Sequence, residues 1–450
     1  TNLLIHLLNG LLVFLLAKAL LNIRLPPCIP AISSEAEKAT IQASRIAALI
    51  AAGWMLLPIN LTAVLYVVQR MESMANLFVL LGLFGYVVGR RRMLAPTATL
   101  NSGAKGGSRW GSFTLCAVSI IIPVVFGVMS KETAVMLPLY AALIEWTLFH
   151  FNKLQEAPTT SECDDAGRPR RDPRLIGLFL LILVLPMGLG LAWLLPGVLK
   201  PETWATRDFT LGTRLLSEAR IVVDYIAWTL LPTPDALSFY HDDFRISTGL
   251  FSPSSTIASL SILITLIALM LWLRKRRPLV TLGIALFLSC QLLTGTILPL
   301  ELIYEHRNYF ASFGLLLAIV PLLAVSKSQP MALPRHVLLG CLLLCWTVLT
   351  AITSYAWGNP LRLAEDLAAR APQSPRAQYE LGRAYIIYSH YDPASPFTPL
   401  VYAPLEKAAT LPDASILPEQ ALIFMNARMH LPIKDAWWDS LAAKLKARKA

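Results

Sequence analysis

The stretch Leu300–Phe310 places two carboxylates (Glu301, Glu305), an imidazole (His306), a guanidinium (Arg307) and two phenols (Tyr304, Tyr309) between two long apolar runs. Two shorter segments repeat the pattern, Gln69-Arg70-Met71-Glu72 and Ser130-Lys131-Glu132-Thr133. Each of the three brings a cation and a carboxylate together: Arg70 with Glu72, Lys131 with Glu132, and Arg307 with Glu305. Such sets suit recognition of a phosphate or pyrophosphate, Arg acting as a planar fork and Lys as a point charge. A carboxylate or histidine alongside suits general-base work on a hydroxyl. The same residues also suit interfacial anchoring, with Tyr304, Tyr309 and Arg307 holding helix ends at the headgroups and each pair a local salt bridge. Glu305 and His306 fit that alternative poorly, and Lys131-Glu132 lies too deep between apolar runs for simple anchoring.

The elements that must position these groups are apolar and long. Of 450 residues, 55% are hydrophobic and 15% charged, too apolar for a soluble domain of this length. The fold class expected is an all-α polytopic membrane protein. A net charge of +11 would suggest nucleic acid in a soluble chain, but Lys- and Arg-rich cytoplasmic loops account for it here, and no nucleic-acid partner is expected. The six cysteines show neither metal nor disulfide spacing.

Ten runs are long enough to cross a bilayer, taking about 17 to 25 residues as the requirement. They lie near Leu3–Leu21, Ile46–Tyr66, Met74–Val88, Phe113–Met129, Thr133–Phe149, Leu175–Leu195, Ile257–Leu273, Leu279–Leu298, Phe310–Val325 and Val337–Thr353. One set of loops carries Arg24, Lys38 and Arg45, then Arg90 to Arg92, Lys105 and Arg109, then Lys153 to Arg174, Arg274 to Arg277, and Lys327 with Arg335. The other short loops offer Arg70, Lys131 and Arg307. The positive-inside rule makes the first set cytoplasmic and puts the start of the chain, Glu301–Tyr309 and the C-terminal tail outside. Met93–Gly111 and Asn152–Arg174, rich in Gly, Ser, Thr, Pro and charge, read as flexible connectors.

Within the long outer segment Pro196–Ser255, residues 211–230 form an amphipathic helix. Leu211, Leu215, Ala219, Val222, Val223, Ile226 and Leu230 share one face, and Arg214, Ser217, Glu218 and Tyr225 the other. Its expected place is the membrane surface, ended by Pro232 and Pro234, with the polar face turned toward a substrate cavity that the turn Tyr240–Asp243 helps to roof. That puts Arg214, Tyr225, His241 and Asp242 near substrate. His241, Asp242 and Asp243 could hold a divalent cation or remain solvated loop charge. After Trp357 the composition becomes that of a soluble domain, so the boundaries expected are 1–356 for the bundle and 357–450 for a helical tail. Ser374 to Tyr385 and the helix ending Pro404-Leu405-Glu406-Lys407-Ala408 resemble one tetratricopeptide unit.

Taken in order, several motifs resemble a family: Asn2-Leu3-Leu4-Ile5-His6-Leu7-Leu8-Asn9, Tyr66-Val67-Val68-Gln69-Arg70, Ser130-Lys131-Glu132-Thr133-Ala134-Val135, the amphipathic helix running into Leu231-Pro232, Glu305-His306-Arg307-Asn308-Tyr309, and the tetratricopeptide-like tail. The chain resembles the bacterial relatives of the tetratricopeptide-containing protein O-mannosyltransferases, in the GT-C glycosyltransferase superfamily. The resemblance implies a GT-C-like bundle in the bacterial inner membrane with a periplasmic tail, moving a sugar from a polyprenyl-phosphate donor to an acceptor hydroxyl. It implies Lys131, Arg307 and Arg70 as donor-phosphate ligands, His306 and Glu305 as catalytic groups, and Gln69, Glu72, Glu132 and Tyr309 in the substrate cavity. Membrane lipids, the lipid-linked sugar, and an acceptor protein or glycan docked by the tail are the partners implied. The family begins with a further membrane helix and an acidic outer loop, and this chain opens at Thr1 and is apolar by Leu3, so such a segment is expected upstream with the principal base in it. Leu57-Pro58 and Thr62 stand where the family commonly has His-Pro and then Glu. A transporter or flippase for the same lipid-linked sugar, or an envelope assembly scaffold, are the alternative readings.

Overall fold

The computed structural model describes residues 1–24, 34–95, 109–153, 171–325, 329 and 331–447. Among these the regular elements are all helical, and no strand occurs. The chain divides into two compact units, one of Thr1–Leu231 with Ile246–Thr347, the other of Pro232–Arg245 with Val348–Ala450. The tail therefore begins within a helix, before the composition boundary at 356/357, and takes with it a stretch that the sequence assigns to the outer segment.

The first unit contains α1 (Asn2–Leu21), α2 (Ser34–Met55), the short α3 (Leu61–Leu65), α4 (Arg70–Met93), α5 (Arg109–Ser130), α6 (Leu137–Ile144), α7 (Pro173–Phe179), α8 (Leu185–Val198), α9 (Leu211–Leu230), α10 (Ser255–Leu273), α11 (Pro278–Thr294), α12 (Asn308–Leu323) and most of α13 (Ala332–Trp357). Turns of π-helix extend α6 over Glu145–Phe149 and join α7 to α8 over Leu180–Val184. Among the described residues eight helices are long and apolar enough to cross a membrane, and nine if α2 and the segment after it count as one bent span. The protein is thus built as a multi-pass membrane protein, as the apolar runs require. The flexible connectors read from Met93–Gly111 and Asn152–Arg174 fall largely on 96–108 and 154–170, outside the described residues.

Two departures from ten plain crossings have local causes. The second run bends by 58° after Met55. Pro58 disfavours the helical region for Leu57, which is extended at φ −69°, ψ 124°. The eighth run ends early, with α11 stopping at Thr294 and Gly295 as its C-cap, and the chain from Gly295 to Tyr304 is irregular. Pro299 cannot continue a helix there, and the residue before it is driven to extended geometry. α11 then meets α12 at Gly283 and Gly314, where a Cβ on Gly314 would lie 2.6 Å from the Gly283 carbonyl oxygen. Backbones approach this closely only where the facing residues are small.

α9 follows its expected register. A reciprocal capping box between Thr210 and Thr213 opens it. Arg214, Ser217, Glu218 and Tyr225 are buried, and of the apolar set Ala219 and Val222 are buried too, while Leu215 is exposed. The polar face is therefore turned into the protein, while the apolar face is covered at Ala219 and Val222 and open at Leu215.

In the second unit α14 (Pro360–Arg370), α15 (Pro375–Ser389), α16 (Tyr402–Thr410), α17 (Leu417–Arg428) and α18 (Asp435–Ala447) pack each on the next. Asn359 and Ser374 cap α14 and α15 through their side chains. The core comprises Ile386, Val401, Leu405, Leu422 and Met425, and Leu405 fills the space over Gly382 that a Cβ would occupy.

Candidate functional site

Lys131 follows α5 in extended geometry (φ −158°, ψ 145°) and precedes a short 3-10 turn over Glu132–Met136. That geometry sends its side chain across to α4. Its Nζ lies 2.8 Å from Glu72 Oε2 and 3.4 Å from Gln69 Oε1, with the Lys131 side chain only 10% exposed. Glu72 sits in the first turn of α4, where the helix dipole favours a negative charge, and Asn76 Nδ2 donates to its other oxygen at 2.8 Å. The pairing differs from the sequence expectation. Glu132 is exposed, and Arg70 donates through Nε to Asn2 Oδ1 at 2.6 Å. Adjacent residues point in different directions, so a cation beside a carboxylate in sequence need not contact it.

The irregular stretch Gly295–Tyr304 needs donors, because carbonyls left bare in a water-poor environment are costly. Buried side chains supply them. Arg214, fully buried, donates to the carbonyls of Thr294 (2.7 Å), Thr296 (2.9 Å) and Leu300, and also pairs with Glu218 at 2.8 Å. Arg307 donates to Leu302 O (2.8 Å) and Glu301 O (2.7 Å) with its guanidinium over the Tyr304 ring. Tyr225 OH accepts from the Tyr304 amide at 2.8 Å and donates to the Tyr304 carbonyl. Both Nη atoms of Arg307 are thus turned to backbone, and Arg214 is a carbonyl staple. Neither is presented as an open fork.

The 3-10 turn Glu305–Arg307 packs against α3, the turn at Pro58–Asn60, α11 and α12. Glu305 and His306 are both buried, the imidazole 5.0 Å from the Tyr304 ring. The charges of Lys131 and Arg307 both reach His306, and those of Arg307 and Glu305 reach Tyr225. Lys131, Glu72, Glu305, His306, Arg307, Arg214 and Tyr225 thus share one neighbourhood in the first unit. Glu218 joins them unforeseen. Burial pushes its carboxyl up to about 7, against the opposing pull of Arg214 and Arg307. Its place on the polar face of α9, one turn after Arg214, was the signal available.

Tyr309 lies apart from any open surface. It is fully buried, its hydroxyl 2.7 Å from His6 Nδ1 and accepting from Asn9 Nδ2 at 3.2 Å. Trp54 Nε1 donates to its carbonyl at 2.9 Å, and His6 Nε2 faces Met55 O at 3.2 Å. Sequence reasoning cited His6 and Asn9 only as parts of a resembling motif. A second buried ion cluster was missed altogether. Arg90, counted as loop charge, is fully buried with Glu145, which also accepts from Tyr86 OH at 2.7 Å. It lies about 27 Å of helix rise beyond Glu72, toward the other end of α4.

His241 and Asp242 belong to the second unit, not to the unit that holds Lys131 and His306. Asp242 accepts from Ser374 Oγ and pairs with Arg376. Among the described residues no group of three or more His, Cys, Asp or Glu side chains is arranged to hold a metal ion. Comparison with protein-family models, with curated proteins and with solved structures gives no match to this chain.

Proposed function

We propose that this chain is a membrane glycosyltransferase of GT-C type that takes its sugar from a polyprenyl-phosphate donor. The observation that carries the proposal is Lys131, an ammonium held between Glu72 and Gln69 at the end of two apolar helices, with the buried His306 within reach of its charge and the buried Glu305 next to His306 in the chain. In the proposed reaction the acceptor hydroxyl oxygen bonds to the anomeric carbon as the bond from that carbon to the donor phosphate breaks. The hydroxyl proton passes to a base, for which Glu305 and His306 are the local candidates. Charge then grows on the departing phosphate, and a fixed cation in a water-poor pocket stabilises it far better than one in water. Lys131 fills that role. Arg307 acts at one remove, by holding the Glu301 and Leu302 carbonyls and so the loop that carries His306.

In this reading the Lys131 end of the bundle faces the periplasm of a bacterial inner membrane, and the helical tail is a tetratricopeptide-like dock for the acceptor. The test is transfer from a polyprenyl-phosphate sugar to a hydroxylated acceptor by purified protein in liposomes. Lys131→Met alone leaves the buried Glu72 without its cation, so the variant to test is Lys131→Met with Glu72→Gln, which should keep its folded profile and lose on the order of a hundred- to a thousand-fold in rate. Transfer at the wild-type rate by that variant, with saturating donor, would remove the site. A transporter of the lipid-linked sugar is the second reading, favoured by the bend after Met55 and the unwound Gly295–Tyr304, since transporters use discontinuous helices. Movement of the labelled lipid across the bilayer without any transfer would favour it.

A further inference from the structure

Between the end of α8 and the start of α9 the first unit has an open cleft of about 610 Å³, whose wall residue Phe209 lies under the Arg214 guanidinium. α8 stops at Val198, the turn Pro201–Trp204 follows, and α9 begins at Leu211. The walls are largely apolar, with Leu199, Trp204, Leu211 and Ile246 among them. Trp204 is buried and its indole N–H is already bonded to Val198 O at 2.8 Å, so it offers the cavity a ring and no donor.

The charge on these walls is uneven. Arg207 lines the cavity, and among the described residues its guanidinium makes no hydrogen bond or ion pair. Asp208 is the one acidic residue on the wall, and it is exposed. The amides of Leu211 and Gly212, in the first turn of α9, add the positive end of a twenty-residue helix. On the wall Leu199 is 66% exposed, and farther back along α8 Trp193 is 81% and Leu189 64% exposed. α8 belongs to a span of 26 residues, so its end marks the level of the lipid headgroups.

An occupant must therefore be apolar on one side and anionic on the other, and must reach the site from the membrane. We infer that the cavity binds an anionic glycerophospholipid. Its phosphate meets Arg207 and the first turn of α9, and the upper acyl chains run along Leu199, Leu211 and Ile246. The volume lies within the range of small-ligand pockets, enough for a headgroup and the start of its tails, and the rest of the tails follow the exposed face of α8. Free phosphate would leave the apolar walls unused. The lipid would steady the start of α9, the helix that carries Arg214, Glu218 and Tyr225.

Native mass spectrometry of the full chain in detergent, titrated with phosphatidylglycerol, tests the inference. One lipid should be retained per chain. Diacylglycerol, which lacks the phosphate, should bind about tenfold more weakly, and Arg207→Gln should weaken phosphatidylglycerol by about the same factor, the low end for a hydrogen bond to a charged group. Ile246→Trp should crowd the acyl path along Ile246 and weaken phosphatidylglycerol binding. Arg207 is a partly exposed side chain with no protein partner, so its variant keeps the test valid should Ile246→Trp misfold. Wild-type retention by Arg207→Gln would overturn the inference. Competition by glycerol phosphate as strong as by the lipid would instead indicate a bare phosphate site. Displacement by polyprenyl phosphate at equal concentration would assign the cavity to a sugar carrier.

Discussion

Arg214→Met is the perturbation that most directly tests how the irregular Gly295–Tyr304 segment is held. The wild-type guanidinium serves the last carbonyl of α11, at Thr294, and two carbonyls of the unwound stretch, at Thr296 and Leu300, from a fully buried position. A methionine of similar length fills the space and leaves all three without a donor. Each orphaned buried acceptor costs about 1 to 3 kcal/mol, and carbonyls that relax or recruit water sit at the low end, so the loss is about 3 kcal/mol. Removing one partner of a buried ion pair, here with Glu218, sets an upper figure of about 5 kcal/mol. The loss should be local. Hydrogen exchange in detergent reads it on the amides of Gly295, Leu300 and Tyr304, which are bonded to Gln291 O, Leu298 O and Tyr225 OH. Their exchange should accelerate on the order of a hundredfold, while amides in the middle of α11 change little. Arg214→Lys should recover part of the protection, since one ammonium reaches fewer of the three carbonyls than a planar fork does. Unchanged exchange over 295–304 in Arg214→Met would refute the staple.

Glu218, whose carboxyl is raised to about 7 in the folded protein, gives a pH dependence: the native state holds its proton where the unfolded chain has lost it, so stability falls as pH rises from about 4.5 to 7. Glu218→Gln should match the wild type near pH 5 and be the more stable near pH 8 by up to about 3 kcal/mol in reversible unfolding, whereas a less stable variant at pH 8 would mean that the carboxylate is ionised and favourably paired with Arg214. Gly283→Ala would push a methyl into the Gly314 carbonyl and to within 2.7 Å of the Ala318 amide, costing about 1 to 3 kcal/mol, and Gly283→Val should fail to give a monodisperse protein. An alanine variant as thermostable as the wild type would show that α11 and α12 can part without cost.

Much of the fold was legible because it is written in local periodicity. Apolar runs marked the membrane-length helices, and the 3.6-residue pattern of α9 set Arg214, Ser217, Glu218 and Tyr225 apart from Leu215, whereas the bend in the second run went unread. Those features depend on which residues face water, lipid or protein, and neighbours in the chain settle that between them. Pairing is another matter. Lys131 meets Glu72 and not Glu132, Arg70 meets Asn2, and Tyr309 is bonded to His6 from a distant helix. Each of those contacts depends on how separate helices dock, a long-range geometry that spacing along the chain does not carry. The two arginines make the point most clearly. Their types suggested an anion, but the unwinding of Gly295–Tyr304 created carbonyls that had to be satisfied, and Arg214 and Arg307 satisfy them. The residue types set what chemistry the site has available. Tertiary structure alone decided which of those cations are already committed to the backbone, because a buried carbonyl competes for the same donors as a phosphate.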